Sequence, residues 1–256
     1  MGPSHARAFI RFYAELNDHL PEHQRQKTLE RRFYVPGSVK DMIESFGVPH
    51  SEIELIVVNG ESVSFSHIVR DGDRIAVYPM FESFDVTGEL KVRRRALREP
   101  KFILDVHLGK LAAYLRMLGF DALYGNRASD RELVSVSSQQ HRILLTRDRG
   151  LLKHSAITHA YLVRHTGSRS QIAEIVARFD LAGSVRPFTR CMVCNAFLAQ
   201  ISSPELQAAL PPRVAASFEE FRRCSQCGRT YWKGSHYRRM QEWVNELIGG
   251  AAGLSS

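Results

Sequence analysis

The spacing of apolar and polar residues in the N-terminal third of the chain predicts four strands and one helix. ARAFIRFYAEL, from Ala6, alternates with a period of two, which is typical of a strand with one buried face. Ser38 is a suitable N-cap for a helix through VKDMIESFG, which Gly47 would end. Further strands are predicted in LERRFYVP, in IELIVVNG before an Asn-Gly turn, and in DGDRIAVYP. The order β-β-α-β-β predicts an α+β grasp around one helix.

Strands alternate with helices in the middle of the chain. The apolar runs KFILD, FDALY, RILLT and AYLVR predict four strands. Gly119 is expected to end the first helix, Ser129 and Glu132 form a capping box at the start of a second, and SRSQIAEIVARFD predicts a third. The first helix is predicted by its apolar residues at helical spacing, namely Leu108, Leu111, Ala112, Leu115 and Leu118. This alternation predicts a parallel sheet that helices flank on both faces.

Three aspartates follow the strands of this predicted sheet. Asp105 ends the first strand, Asp148 follows the third, and Asp130 lies in the first turn of the helix after the second. Because the carboxyl ends of parallel strands meet along one edge of a sheet, we expect these acids at the same edge. Carboxylates brought together repel one another unless a cation joins them. Oxygen ligands suit Mg²⁺ or Mn²⁺, so the acids are candidate catalytic metal ligands.

Each acid also has a structural interpretation. Asp130 is favourable at a helix N-terminus, Asp105 is able to cap the helix that follows it, and Asp148 fits a turn between two arginines. The capping box already explains Glu132, which is a second-rank ligand, and Asp121 lies toward the opposite edge of the sheet. The shared placement of three acids favours the metal site over the separate structural interpretations.

All four cysteines occur in two Cys-x-x-Cys pairs, Cys191 with Cys194 and Cys224 with Cys227. Two such pairs supply four thiolates to a tetrahedral Zn²⁺, and a site with four protein ligands is structural because no position is left for water. A redox pair is the alternative. A helical insert, SPELQAALPPRVAASFEEF, is predicted between the two pairs.

The composition favours a polyanionic partner. The net charge is +8 and the sequence pI is about 9.5, with basic residues concentrated in KVRRRALR and again between residues 222 and 239. Solvated surface charge explains these clusters as well as a nucleic-acid patch does. No apolar run approaches the ~18 residues of a membrane span, and the N-terminus lacks the layout of a secretion signal. We therefore expect a cytoplasmic protein without a membrane partner.

LDVHLGKLAAYLRMLGFDALY, followed by ILLTRDRGLLK, resembles the PIN-like ribonuclease domain first noted at the C-terminus of the Mut-seven exonuclease. RCMVCNAFL and FRRCSQCGRTYWKGSHYRRM are similar to the zinc ribbon of that family. The resemblance implies a metal-dependent ribonuclease, and structured RNA such as tRNA is one candidate substrate. Asp105, Asp130 and Asp148 match the acidic positions of the family. Its basic positions are matched by Lys110, Arg116 and Arg147.

The N-terminal stretch resembles the ubiquitin-like sulfur-carrier proteins, through VVNG at 57–60 and DGDRIAVYP at 71–79. Carriers end in a free diglycine, whereas here the chain continues, and Gly249 and Gly250 are followed by AAGLSS. The resemblance therefore implies a docking or structural domain, with a protein partner as one possibility, and no carrier chemistry. A ubiquitin-like domain is a known companion of the nuclease in bacterial members of the family.

The expected fold is α/β: a PIN-like parallel sheet flanked by helices, an N-terminal β-grasp (ubiquitin-like) domain and a C-terminal zinc ribbon. We expect the β-grasp domain at 6–82, a basic linker at 83–100 and the PIN-like nuclease domain at 101–183. The zinc ribbon with its helical insert is expected at 184–246 and a disordered tail at 247–256.

Two further residues are candidates for RNA binding. Arg149, like Arg147, lies beside Asp148 and suits a backbone phosphate, although a surface ion pair is the alternative. Trp232 lies among basic residues and is suited to stacking on an unpaired base, although packing around the zinc explains it equally well. A module that binds RNA without cutting it, and a ubiquitin-like adaptor for a protein partner, are the competing functions.

Overall fold

The structure is a computed structural model that describes residues 5–79, 100–201, 218 and 220–252, with the backbone alone for 250–252. The predicted basic linker lies outside the described residues except for Pro100. The predicted helical insert lies outside them at 203–217 and 219, and its last residue, Phe221, begins a strand.

The N-terminal residues form a five-stranded sheet of order β2-β1-β5-β3-β4. Its strands are β1 (Ala6–Phe12), β2 (Leu29–Phe33), β3 (Ile53–Val58), β4 (Glu61–Ser62) and β5 (Arg74–Pro79). Strands β1 and β5 are parallel, and the other pairs are antiparallel. Three 3-10 helices connect these strands, at Ala14–His19, Glu22–Gln24 and His50–Glu52.

Helix α1 (Val39–Ser45) packs against this sheet and completes the predicted grasp. Ser38 caps it by accepting a 3.1 Å hydrogen bond from the backbone N–H of Asp41, and Gly47 follows with a φ of +86°. Alternate residues of β1 are buried, as the period of two predicts: Ala8, Ile10 and Phe12. They share one apolar core with Val39 and Ile43 of the helix.

A four-stranded sheet of order β7-β6-β8-β9 follows. Its strands are β6 (Phe102–Leu104), β7 (Ala122–Tyr124), β8 (Ile143–Thr146) and β9 (Ala160–Leu162). Strand β6 pairs in parallel with both β7 and β8, so Leu104 has Tyr124 on one side and Leu145 on the other. Every residue of β6 and β8 is buried, as expected for strands covered on both faces.

The helices of this part are α2 (Gly109–Met117), α3 (Asp130–Gln140), α4 (Arg149–Leu152) and α5 (Ser168–Arg178), with 3-10 helices at Val106–Leu108 and Ala182–Ser184. All five apolar residues that predicted α2 are buried. Gly119 follows the C-cap of α2; its φ is +98°, and an added Cβ would lie 2.2 Å from the carbonyl oxygen of Arg186. Glycine is required there for conformation and for space.

The C-terminal part contains a three-stranded antiparallel sheet, β10 (Leu198–Ile201), β11 (Phe221–Cys224) and β12 (Thr230–Trp232), and then helix α6 (Ser235–Ala252). The prediction of disorder from residue 247 is wrong as far as Ala252, because α6 continues through Gly249 and Gly250. A helical glycine costs only ~1 kcal/mol relative to alanine, and a helix that packed turns have already nucleated can extend through it. Val244, which lies in this helix, is completely buried.

The chain divides into two compact units. One contains residues 1–99 with 137–141 and 148–162, and the other contains 100–136, 142–147 and 163–256. The grouping differs from the boundaries expected from the sequence, since the segment that begins at Asp148 belongs to the N-terminal unit. Among the described residues, no helix is both long and apolar enough to cross a membrane.

Candidate active site and metal centre

Asp105 is a buried carboxylate, only 5% exposed, directly after β6. Its Oδ2 accepts hydrogen bonds from the hydroxyl of Thr146 (2.5 Å) and the backbone N–H of Arg147 (2.9 Å). Its Oδ1 accepts a hydrogen bond from the backbone N–H of His107 (2.8 Å), so Asp105 also caps the 3-10 helix after it. An ionised carboxylate has about four acceptor positions. Three are used here, and one is left for a cation or a water.

The ends of β6 and β8 are joined by this carboxylate. The backbone N–H of Asp105 donates to the carbonyl of Leu145 (3.1 Å), which continues the pairing of the two strands by one residue. Thr146 is completely buried, and its hydroxyl points at Asp105. The sequence predicted only that these strand ends share one edge of the sheet, and the structure shows that the two strands are neighbours.

Asp148 is exposed and immediately precedes α4. Its Oδ1 accepts a 2.7 Å hydrogen bond from the backbone N–H of Gly150, so it is the N-cap of that helix. Asp148 therefore has a structural role, since it caps a helix at the turn between the two arginines.

Asp130 is exposed and is the first residue of α3. The capping box predicted beside it is present, since Glu132 Oε2 lies 2.8 Å from both the backbone nitrogen and the hydroxyl of Ser129. These hydrogen bonds lower the pKa of Glu132. Glu132 therefore stabilises the helix start, and the structure gives no separate indication that it is a metal ligand.

The cysteines form the one group among the described residues in which three or more Cys, His, Asp or Glu side chains lie close enough to hold a metal ion. The structure does not bring Asp105, Asp130 and Asp148 into such a group. The four Sγ atoms lie within 4.8 Å of one another. Cys191 and Cys227 are 3.6 Å apart, and Cys194 and Cys224 are 3.2 Å apart.

This geometry fits zinc. Tetrahedral coordination with Zn–S bonds of about 2.3 Å places sulfur atoms about 3.8 Å apart, close to the observed separations. All four cysteines are free thiols, and the shortest distances join residues of different Cys-x-x-Cys pairs. A redox disulfide would instead join the cysteines within one pair. The arrangement therefore favours a structural metal site.

The surroundings of Cys191 favour its thiolate. Burial raises the pKa of its thiol, but hydrogen bonds from the Tyr231 hydroxyl and from backbone N–H groups outweigh burial and lower the pKa to about 6. Burial raises the pKa of Cys194 to about 12. The Tyr231 hydroxyl lies 3.1 Å from Cys191 Sγ, so this tyrosine of β12 forms a hydrogen bond with one of the four cysteines.

Two family models match the chain. The model for the Mut7-C RNAse domain matches residues 100–244, more than half of the chain. The chain belongs to the Mut7-C RNAse domain family. The model for the Mut7-C ubiquitin domain matches residues 5–85, which contain the β-grasp sheet. No curated protein and no solved structure matches the chain.

Membership of the Mut7-C family confirms the resemblance on which the site was predicted, but Arg116 needs a correction. It was expected to bind RNA, yet it is only 4% exposed. Its guanidinium group donates to the carbonyls of Ala122 (2.8 Å), Met192 (3.2 Å) and Val193 (2.7 Å). Arg116 therefore links β7 to the residues between Cys191 and Cys194. The N–H groups that make these hydrogen bonds are not available to a phosphate. The sequence pattern did not reveal these carbonyl partners, because two of them lie 76 and 77 residues away along the chain.

Asp121 supports the same junction. Its carboxylate accepts hydrogen bonds from Arg142 Nη1 (2.8 Å) and Asn195 Nδ2 (2.8 Å), and Asn195 Oδ1 accepts one from the backbone N–H of Ala122 (3.1 Å). Asn195 follows Cys194 directly, and its φ is +73°. Asp121 therefore has the structural role that was predicted for it, with Arg142 and Asn195 as its hydrogen-bond donors.

The other predicted RNA-binding residues of this Mut7-C chain are exposed. Lys110 lies in the first turn of α2, and Arg147 and Arg149 flank Asp148. Within the described part of the chain, no hydrogen bond or ion pair engages the cationic groups of these three side chains. Trp232, at the end of β12, is 37% exposed. These four residues are accessible to an RNA.

The 3-10 helix His50–Glu52 holds the segment that begins at Asp148, within one compact unit. The Ser51 hydroxyl donates to the carbonyl of Leu152, the last residue of α4 (2.8 Å), and Glu52 Oε1 accepts from the backbone N–H of Leu162 (2.7 Å). Glu52 Oε2 lies 2.7 Å from His19 Nε2, and both side chains are 2% exposed. These residues were not predicted as functional, because their only sequence signal was a short polar stretch between the predicted helix and the strand IELIVVNG.

Proposed function

We propose that this Mut7-C chain is a Mg²⁺- or Mn²⁺-dependent ribonuclease that hydrolyses RNA phosphodiester bonds. Asp105 carries the proposal. It is a buried carboxylate at the carboxyl end of a central strand, with three hydrogen-bond donors and one acceptor position left over. Ligands of α/β folds bind at this edge of the sheet. Asp130 and Asp148 are the further proposed ligands, and both are exposed at the surface.

The donor chemistry fits a hard cation, since all three proposed ligands are carboxylates. Such an ion would lower the pKa of a bound water and neutralise charge on the phosphoryl oxygens. Thr146 and the backbone N–H of Arg147 fix the orientation of the Asp105 carboxylate. The guanidinium groups of Arg147 and Arg149 are suited to bidentate hydrogen bonds with phosphates of the RNA. Lys110 adds a point charge.

We include structured RNA such as tRNA in the proposed substrate class, because such RNA presents unpaired nucleotides beside helices. The cytoplasm is the proposed location, where thiols stay reduced and are available to zinc. The N-terminal domain exposes Tyr34 and Val35, which are 67% and 76% exposed, and these are the proposed contacts of any protein partner.

Cleavage assays test the proposal. Purified protein is incubated with total RNA and with tRNA, in Mg²⁺ or Mn²⁺, and compared with Asp105→Asn and Asp148→Asn. Asp180→Asn is the matched control, since Asp180 is exposed and its φ of +43° is one that asparagine tolerates. We expect the first two variants to lose cleavage by at least about 100-fold and the control to keep it.

Cleavage that persists in Asp148→Asn and also in EDTA would refute the role of metal and acids. Retention of RNA without cleavage, under every metal tested, would instead support the alternative of an RNA-binding module.

A further inference from the structure

A cavity of about 430 Å³ lies between the three-stranded sheet and the start of α6. Its lining includes the aromatic side chains of Phe188, Phe221, Tyr231, Trp232 and Tyr237. The rings of Phe188 and Tyr237 are 4.4 Å apart and inclined by 43°, so they form one continuous apolar wall. Tyr231 is fixed at the other side by its contact with Cys191 Sγ. A pocket of this size and composition is typical of a site for a small planar group.

The rim of the cavity is cationic. Arg190, Arg222, Arg229 and Lys233 line it, against one described carboxylate, Glu220. Glu220 is already paired with Lys233 at 2.5 Å. Arg222 donates one hydrogen bond to the carbonyl of Phe188 (2.7 Å) and remains exposed. Arg229 is also exposed, and no described residue makes a hydrogen bond or ion pair with its guanidinium group.

An aromatic cavity with a cationic rim is complementary to a nucleotide, which combines a planar base with an anionic phosphate. Bases stack on aromatic side chains irrespective of their identity, and arginine binds the phosphates. A base inside a duplex offers no free face, so this mode of binding requires an unpaired nucleotide. An acidic peptide would match the rim but would leave the aromatic walls without a planar group to stack on them.

We propose that this cavity binds one unpaired nucleotide of the RNA substrate, with the base against Trp232 and the phosphate on Arg229. The proposal rests on RNA being the ligand, as in the proposed function, and adds the subsite and its preference for unpaired RNA. The cavity lies next to the four-cysteine site, because Tyr231 lines the cavity and its hydroxyl contacts Cys191 Sγ.

Tryptophan fluorescence provides the test. The chain has two tryptophans, and Trp243 packs against Tyr114 with ring centroids 4.9 Å apart. Trp243→Phe therefore keeps an aromatic ring in that position and leaves Trp232 as the only reporter. This full-length variant is titrated, without Mg²⁺ or Mn²⁺, with a mixed-sequence single-stranded RNA of twelve nucleotides, which is a length chosen for the experiment. A duplex of the same strand is the comparison.

We expect saturable quenching of Trp232 by the single strand and at least about tenfold weaker binding of the duplex. In the same background, Arg229→Ala is expected to weaken binding of the single strand about tenfold. Arg223→Ala is the matched control, since Arg223 is an exposed arginine of β11 that does not line the cavity. We expect the control to change affinity less than about twofold. A zinc content equal to that of the parent shows that each variant is folded in this region.

Absence of quenching, equal binding of the duplex, or equal losses in Arg229→Ala and Arg223→Ala would each overturn the proposal. The last result would indicate general electrostatic attraction. Cleavage by the same Trp243→Phe protein is measured in parallel with metal. Cleavage without a Trp232 response refutes the subsite alone, whereas a saturable response without cleavage supports the subsite and counts against the nuclease.

Discussion

The hydroxyl of Thr146 donates a 2.5 Å hydrogen bond to Asp105 Oδ2, and both residues are buried. Thr146 is the one polar residue in the strand ILLT, and its hydroxyl reaches across to the end of the neighbouring strand. Partners of this kind orient a metal ligand without contacting the metal themselves.

Thr146→Val should therefore reduce RNA cleavage while conserving the shape of the side chain. We expect a loss of about 10- to 100-fold, the range typical of residues that orient a metal ligand. Single-turnover rates at saturating metal measure the effect. Thr146→Ser keeps the hydroxyl and is expected to restore most of the activity. If Val and Ser reduced cleavage equally, the hydrogen bond to Asp105 would not be the cause.

Ser51→Ala should loosen the segment that begins at Asp148. The variant removes the buried 2.8 Å hydrogen bond to the Leu152 carbonyl, and we expect the free energy of unfolding to fall by ~1–2 kcal/mol. Denaturant unfolding measures this change, and hydrogen exchange should show faster opening of residues 149–162.

Ser45→Ala is the matched control for Ser51→Ala. The hydroxyl of Ser45 also donates to a backbone carbonyl, that of Met42 at 2.7 Å, but it is exposed. Its loss should change stability by less than ~0.5 kcal/mol. Equal effects of the two substitutions would show that the contact between His50–Glu52 and α4 contributes nothing specific.

Cys224→Ser should abolish stoichiometric zinc binding. With one thiolate missing, the centre loses a buried ligand, and we expect less than about half of the zinc of the parent protein, which should bind one ion per chain. Metal analysis after purification measures the content. Ser225→Ala, at the adjacent exposed position, is expected to retain the ion. Full zinc content in Cys224→Ser would exclude the four-cysteine site.

Asp121 should make stability depend on pH in the acid range. Burial raises the pKa of this carboxyl, but hydrogen bonds from Arg142 and Asn195 outweigh burial and hold the pKa below its ordinary value. The stabilisation is therefore complete above the unfolded-state pKa of about 3.9 and is lost as the pH falls through the lower folded-state pKa.

Asp121→Asn is expected to lower the free energy of unfolding by ~2 kcal/mol near neutral pH, because Arg142 loses its carboxylate partner. The difference between the variant and the parent should shrink below about pH 4. Unfolding curves recorded from pH 7 to pH 3 measure it. A difference that stays constant across this range would contradict the assignment.

Much of the fold follows from the local sequence. The alternation in β1, the caps at Ser38 and Ser129, and the glycines at 47 and 119 are short-range signals, and the structure confirms each of them. The spacing of the cysteines likewise indicated their shared site, because two Cys-x-x-Cys pairs have few other uses. In these cases the residues that determine a strand, a helix end or a metal-binding knuckle lie within a few positions of one another.

Only the tertiary structure decided which side chains meet across the chain. Arg116 carries the charge of an RNA-binding residue, yet packing turns it inward onto carbonyls 76 and 77 positions away. Ser51 meets Leu152 across 101 positions, and the cavity beside Trp232 combines residues of several strands. Sequence patterns report the burial of a face and the start of an element. The partner of a polar group depends on distances that only the folded chain sets.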